Sequence, residues 1–208
     1  MLNIAHTCIT EEVNGPGRRF TVWVQGCPRR CPGCFNPGLR PFDPRREVSP
    51  GELSREAWRN APLDGVSLSG GEPFAQAAEL SAFLDAVRSE AGGGRLDVLA
   101  FTGYRVEELR EGPPEAGALL ERLDLVVDGP FLAEQACESP LRGSSNQRLI
   151  AMTPAGEALK RRVERGATGG FGVTVTSGGD VILTGFPPAD LQRLFRGALT
   201  EGPGGLQG

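Results

Sequence analysis

The strongest constraint on this chain lies in residues 26–36, Gly-Cys-Pro-Arg-Arg-Cys-Pro-Gly-Cys-Phe-Asn. Cys27, Cys31 and Cys34 stand four and three residues apart, and Phe35 follows the last of them. Thiolates this close in an irregular Pro/Gly loop can converge on one metal centre. Their number is informative. A structural zinc site is closed by four protein ligands, and an ordinary iron–sulfur cluster is held by four thiolates. Three thiolates on a [4Fe–4S] cluster leave one iron open to a small molecule. The competing reading is a zinc site completed by Cys8 or His6. Zinc loops favour Cys-x-x-Cys pairs, and here one gap is three residues wide.

Composition narrows the setting. A chain of 208 residues suits one domain, or one domain with an appendage. A net charge of −4 argues against a nucleic-acid-binding role resting on overall charge. Five cysteines is an odd number, and three fall within eight residues, so a disulfide framework does not suit them. A reducing compartment with a metal or cluster fits better. Cys8 and Cys137 read as structural. No apolar run approaches the ~20 residues that cross a membrane. Met1–Cys8 lacks the basic start and apolar core of a signal peptide. The expected location is the cytoplasm.

Phe20–Gln25 carries β-branched and aromatic residues and reads as a strand running straight into the cysteine loop. Residues 37–48 read as an irregular excursion. Ser49-Pro50-Gly51-Glu52 is a capping box that starts a helix to about Asn60. Strands are expected at 65–69, 96–101, 123–127 and 148–152. Leu80, Phe83, Leu84 and Val87 mark a helix over roughly 75–91, and shorter helices fall within 105–122. Alternation of this kind means βα units and a parallel sheet. The chain is too short for an eight-unit barrel of ~250 residues, so an α/β partial (βα)6-type barrel is expected over 1–152. Residues 153–208 read as an appendage: a basic helix to about Arg165, a β-hairpin over 171–184 and a last helix near 188–199.

A second motif, Gly70-Gly71-Glu72-Pro73, falls at the end of the strand after the cysteine loop, on the same sheet edge. Glycines let a ligand approach the backbone closely, and a carboxylate can accept a charge-assisted bond from an ammonium group. Cys-x-x-x-Cys-x-x-Cys-aromatic followed by Gly-Gly-Glu-Pro resembles the radical S-adenosylmethionine superfamily. The resemblance implies that Cys27, Cys31 and Cys34 ligate a [4Fe–4S] cluster and that S-adenosylmethionine chelates the open iron. One electron then breaks its bond to the ribose, and the 5′-deoxyadenosyl radical takes a hydrogen from the substrate. The resemblance also assigns Gly70, Gly71, Glu72 and Pro73 to the methionine end and Phe35 to the adenine, with Asn36, Thr102 and Asn146 as further cofactor contacts.

Three features point within the superfamily to glycyl-radical activases, in particular the anaerobic ribonucleotide reductase activators. The chain is short, Asn14-Gly-Pro-Gly-Arg-Arg19 precedes the first strand, and Asp128-Gly-Pro-Phe131 is followed by Arg142-Gly-Ser-Ser-Asn-Gln147. That resemblance covers about 1–150. It implies a protein partner, the reductase large subunit or another glycyl-radical enzyme, and an electron donor such as flavodoxin or ferredoxin. Neither nucleic acid nor membrane is expected. Asp128 reads either as a cation ligand near the methionine carboxylate or as a turn-forming Asp. His6, the one histidine, reads as a solvated N-terminal residue. Direct chemistry on a small molecule or peptide is the alternative, because the chain runs some 55 residues beyond the resemblance. A non-catalytic iron–sulfur or zinc protein is the other.

Overall fold

The structure is a computed structural model, and it describes residues 1–60, 62–91, 94–166, 168–175 and 181–185. The expected helix near 188–199 and the Gly-rich tail lie outside the described residues. Strands β1 (Leu2–Glu11) and β2 (Arg18–Val24) form an antiparallel pair, and β3 (Arg46–Val48) adds to the outer edge of β1. Then α1 (Pro50–Trp58), β4 (Gly65–Gly70), α2 (Ala77–Ser89) and β5 (Asp97–Phe101) alternate. Two short helices, α3 (Val106–Arg110) and α4 (Pro114–Leu120), lead to β6 (Leu125–Asp128). A small ribbon, β7 (Ala136–Ser139) with β8 (Arg142–Ser144), returns the chain to β9 (Arg148–Ala151). Helix α5 (Pro154–Glu164) and the hairpin β10 (Phe171–Val175) with β11 (Val181–Gly185) follow.

The main sheet has seven strands in the order β3-β1-β2-β4-β5-β6-β9. The α/β class, the parallel core and the C-terminal hairpin are as the alternation implies. The parallel run, β2-β4-β5-β6, is four strands wide, and the strands on its flanks are antiparallel. Where an intervening helix crosses over, the strands run parallel. Strand β9 arrives by way of the β7–β8 ribbon and pairs antiparallel with β6. Sequence reading missed β1: its alternation is broken by a register shift between Ile4 and His6 and diluted by polar residues. Residues 46–48, read as part of an irregular excursion, form the edge strand β3.

Side chains sort by strand parity. Val98 and Ala100 face α1, α2 and α4, whose Leu53, Leu80, Phe83, Leu84 and Leu119 are fully buried. Leu99 faces the opposite side with Leu125 and Val127, and there Leu159 and Val163 of α5 cover it. Thus α5, which lies beyond the expected division at 152/153, packs on the sheet. Gly156 explains how closely: a Cβ there would lie 1.7 Å from the Asp124 carbonyl oxygen. At the N-terminal ends of β2, β4 and β5, the buried Arg19 pairs with Asp97, and its Nε donates to Ser67 Oγ at 2.7 Å. The opposite ends of the same strands are left for the site.

Candidate cluster and cofactor site

Strand β2 ends where the cysteine loop begins, and backbone bonds fix that exit. Gly26 N donates to Leu39 O at 2.9 Å and Cys27 N to Arg40 O at 3.0 Å. Gln25 Nε2 donates to Pro41 O at 2.7 Å. The end of β4 is laced to the same place: Gly71 N donates to Val24 O at 2.8 Å and Glu72 N to Gly26 O at 2.9 Å. Glycine is required here. A Cβ on Gly70, whose φ is +109°, would sit 2.3 Å from Val24 N, and one on Gly71 would sit 2.3 Å from Gly26 O.

Glu72 carries the lacing on to β5. Its Oε1 accepts from Thr102 Oγ1 at 2.9 Å and Phe74 N at 3.0 Å, and its Oε2 accepts from Gly103 N at 2.9 Å. Burial pushes the Glu72 carboxyl above its ordinary pKa, against the pull of these three donors and of Arg29. Four acceptor positions exist on a carboxylate, so Oε2 keeps one for a further donor. Thr102 N reaches Val127 O at 2.9 Å, which brings the end of β6 into the same framework.

Between these strand ends lies a cavity. Cys27, Cys31, Cys34, Phe35, Asn36, Gly70, Gly71, Glu72 and Thr102 all line it. The three thiols are unpaired and half-buried. Burial raises the Cys27 thiol's pKa, and the charges of Glu72, Cys34 and Cys31 add to the rise while the Arg29 backbone N–H opposes it. Among the described residues no three His, Cys, Asp or Glu side chains are drawn close enough to hold a metal ion. The donor set nonetheless suits an iron–sulfur cluster: three soft thiols line one cavity beside the Gly70–Gly71 backbone. The zinc reading loses its fourth ligand. Cys8 lies opposite Thr21 in the β1–β2 register, six residues before Cys27, or about 20 Å at strand rise. His6 lies opposite Trp23, and neither His6 nor Cys8 lines the cavity.

Three expected site residues fall elsewhere. Pro73 is buried at the start of a single 3-10 turn that leads into α2. Asn146 donates to Pro130 O at 2.8 Å and borders a separate cavity behind β8 and β9. Asp128 is fully buried, and its cations are the protein's own. Arg148 Nε donates to its Oδ1 at 2.9 Å, Arg105 Nη1 lies 3.7 Å from the same oxygen, and Val106 N donates to Oδ2 at 2.9 Å. Asp128 therefore ties β9 and α3 to the end of β6. Asp128→Ala is expected to lower stability by about 3 kcal/mol, because it strands two arginines and the Val106 N–H. The urea midpoint checks this, and an unchanged midpoint would refute it.

Sequence reasoning also missed residues that line the cavity. Arg29 sits inside the cysteine loop, where the thiols, Phe35 and Asn36 drew notice and it did not. Gln147 belongs to the noted Arg142–Gln147 segment. Its Oε1 accepts from Gly143 N at 2.8 Å, and its Nε2 donates to Gly129 O at 3.0 Å, folding that segment against the β6 exit. Leu183, Thr184 and Gly185 reach the cavity from β11, nearly 150 residues after the cysteines. No local signal foretells that.

Comparison with known proteins accords with this geometry. Residues 13–150 match the family profile of the 4Fe-4S single cluster domain, which places the chain in that class of iron–sulfur proteins. The anaerobic ribonucleoside-triphosphate reductase-activating protein of Vibrio cholerae is 36% identical over 147 residues, 68% of this chain and 92% of that one. Its counterpart in Escherichia coli K12 is 31% identical over 148 residues, 65% and 89% of the two chains. The chain belongs to the family of anaerobic ribonucleoside-triphosphate reductase-activating proteins. As a member it is a radical S-adenosylmethionine oxidoreductase, with a [4Fe–4S] cluster and S-adenosylmethionine as cofactors. The solved structure of QueE from Escherichia coli is a looser likeness, with a TM-score of 0.38 at 19% identity over 49% of this chain and 52% of that one. No helix among the described residues is long and apolar enough to cross a membrane.

Proposed function

We propose that this chain cleaves S-adenosylmethionine reductively and uses the radical to place a glycyl radical on anaerobic ribonucleoside-triphosphate reductase. The observation that carries this reading is the shared cavity: three thiols, the Gly70–Gly71 cradle and Glu72 face one space at the ends of adjacent parallel strands. A bound cluster supplies the electron that opens the sulfonium, received in turn from a one-electron donor of the flavodoxin or ferredoxin class.

The chain's own residues have distinct tasks. Cys27, Cys31 and Cys34 would hold the cluster, and with three thiolates they would leave one iron open to the ligand. Gly70 and Gly71 let the ligand lie against backbone. Glu72 offers the remaining acceptor position of Oε2 to the ammonium group. Thr102 and Gly103 hold Glu72 in place. Phe35 gives the adenine an apolar face. The buried strand ends keep water from the reacting atoms.

One observation favours a second reading, direct chemistry on a small molecule or peptide. Leu183–Gly185 border the cavity from outside the matched residues 13–150, so part of the cavity wall in this chain lies beyond what the family profile covers. We take residues through α5 as the catalytic unit and the hairpin as a substrate-facing addition to it.

The test is direct. Anaerobically purified protein is expected to be brown with about four irons per chain. With a strong reductant and S-adenosylmethionine it is expected to release 5′-deoxyadenosine and methionine in equal amounts. Colourless protein holding one zinc would refute the reading.

A further inference from the structure

The cysteine loop contributes more than thiols to the cavity. Arg29, between Cys27 and Cys31, lines it too. Its guanidinium lies over the Tyr104 ring, 4.8 Å from the centroid. It also rests on Gly103, where a Cβ would come within 2.6 Å of Arg29 Cδ and 2.9 Å of Nε. Stacking on a ring face orients a guanidinium and leaves its N–H edge free. Among the described residues nothing accepts a hydrogen bond from that edge. Arg29 Nε is buried without a hydrogen-bond partner, and no carboxylate among the described residues lies within ion-pairing distance of the guanidinium. Glu72 feels its charge through space, but the oxygens of Glu72 already accept from Thr102, Phe74 and Gly103. A buried N–H without an acceptor costs stability. Nε has no accessible surface, so an anion entering the cavity that Arg29 lines would meet the terminal nitrogens of the guanidinium.

S-adenosylmethionine carries two cationic groups, the sulfonium and the ammonium, and one anionic group, the carboxylate. On the proposed function above, which this step presupposes, Glu72 serves the ammonium. We propose that Arg29 holds the carboxylate, so that the arginine of the cluster loop and the glutamate of the Gly-Gly-Glu segment grip the two ends of the zwitterion. Arg29 is then a positioning residue: it sets which way the methionine end faces the open iron. The pairing is geometric as well as electrostatic, because a guanidinium fork matches a carboxylate bidentately and an ammonium does not.

The experiment measures equilibrium binding to the reconstituted full chain with the cluster oxidised, so that no turnover intervenes. The probes are S-adenosylmethionine and decarboxylated S-adenosylmethionine, which lacks only the carboxylate. Arg29→Gln is expected to weaken binding of the first by about tenfold or more, the loss typical of a charge-assisted pair. It is expected to leave the second within about twofold. Arg29→Lys keeps a point charge without the fork and falls between. Arg30→Gln, an exposed neighbour outside the cavity, leaves both affinities and the iron content unchanged. Equal weakening of both probes in Arg29→Gln would mean that Arg29 only shapes the loop and would overturn the inference, as would no weakening of either. Failure of the native chain to bind S-adenosylmethionine at all would instead overturn the proposed function.

Discussion

Cys31→Ala is expected to yield a folded protein that holds little iron and releases 5′-deoxyadenosine only at the background rate. Two thiolates remain, and no other cysteine is placed to take over. Cys8 is about 20 Å along the β2 strand from Cys27. Cys137 sits in β7 and does not line the cavity. The fold should survive, because Cys31 is only half-buried and the loop is fixed by the backbone bonds of Gly26, Cys27 and Gln25 instead. Iron analysis, circular dichroism and product chromatography on one preparation separate the two effects. Cys137→Ser is the matched control and should keep its iron. Cleavage that persists in Cys31→Ala would mean that the ligand set is wrong.

Gly71→Ala should be nearly as damaging for a different reason. The new Cβ would lie 2.3 Å from Gly26 O and 2.6 Å from Leu39 O, whereas ordinary contact begins at 3.4 Å. Both neighbours are backbone, so no side chain can swing aside. The end of β4 and the cysteine loop must separate by about an ångström. That breaks the bond from Glu72 N to Gly26 O and strains the one from Gly26 N to Leu39 O. A loss on the order of 3–5 kcal/mol is expected, in the range of changes that overpack a buried site and break its hydrogen bonds. The same substitution at Gly117, in α4, is the internal comparison. Nothing lies within 4 Å of a Cβ there, and alanine is the better helix former by about 1 kcal/mol. Urea midpoints of the two variants should move in opposite directions. A stable, iron-loaded Gly71→Ala would show that the two loops are less tightly joined than the structure indicates.

Local signals made much of this legible. Ser49 and Glu52 read as a capping box and form one: Glu52 N donates to Ser49 Oγ at 3.3 Å, and Ser49 N to Glu52 Oε2 at 3.0 Å. Leu80, Phe83, Leu84 and Val87, chosen by helical spacing, are all fully buried. The thiols and the Gly-Gly-Glu segment share a cavity because both end parallel neighbours, β2 and β4, a relation that strand alternation does encode. What stayed hidden depends on long-range partners. β1 gains its place from pairing with β2 rather than from its own pattern. Asp128 looked available for a cation because Arg148 and Arg105, its partners, are 20 and 23 residues away in the chain. Arg29 drew no reading of its own, because Gly103 and Tyr104, on which it rests, lie far along the chain.

Transfer of the radical made at this site to a partner protein is the proposed outcome. It is tested most directly by mixing the reduced, iron-loaded chain with S-adenosylmethionine and the anaerobic ribonucleotide reductase large subunit of its own source, then recording the electron paramagnetic resonance spectrum. The expected result is a glycyl-radical doublet on the large subunit that is absent without S-adenosylmethionine and absent with Cys31→Ala. Intact release of 5′-deoxyadenosine with no doublet would contradict the claim and turn attention to a small molecule or peptide held against Leu183–Gly185.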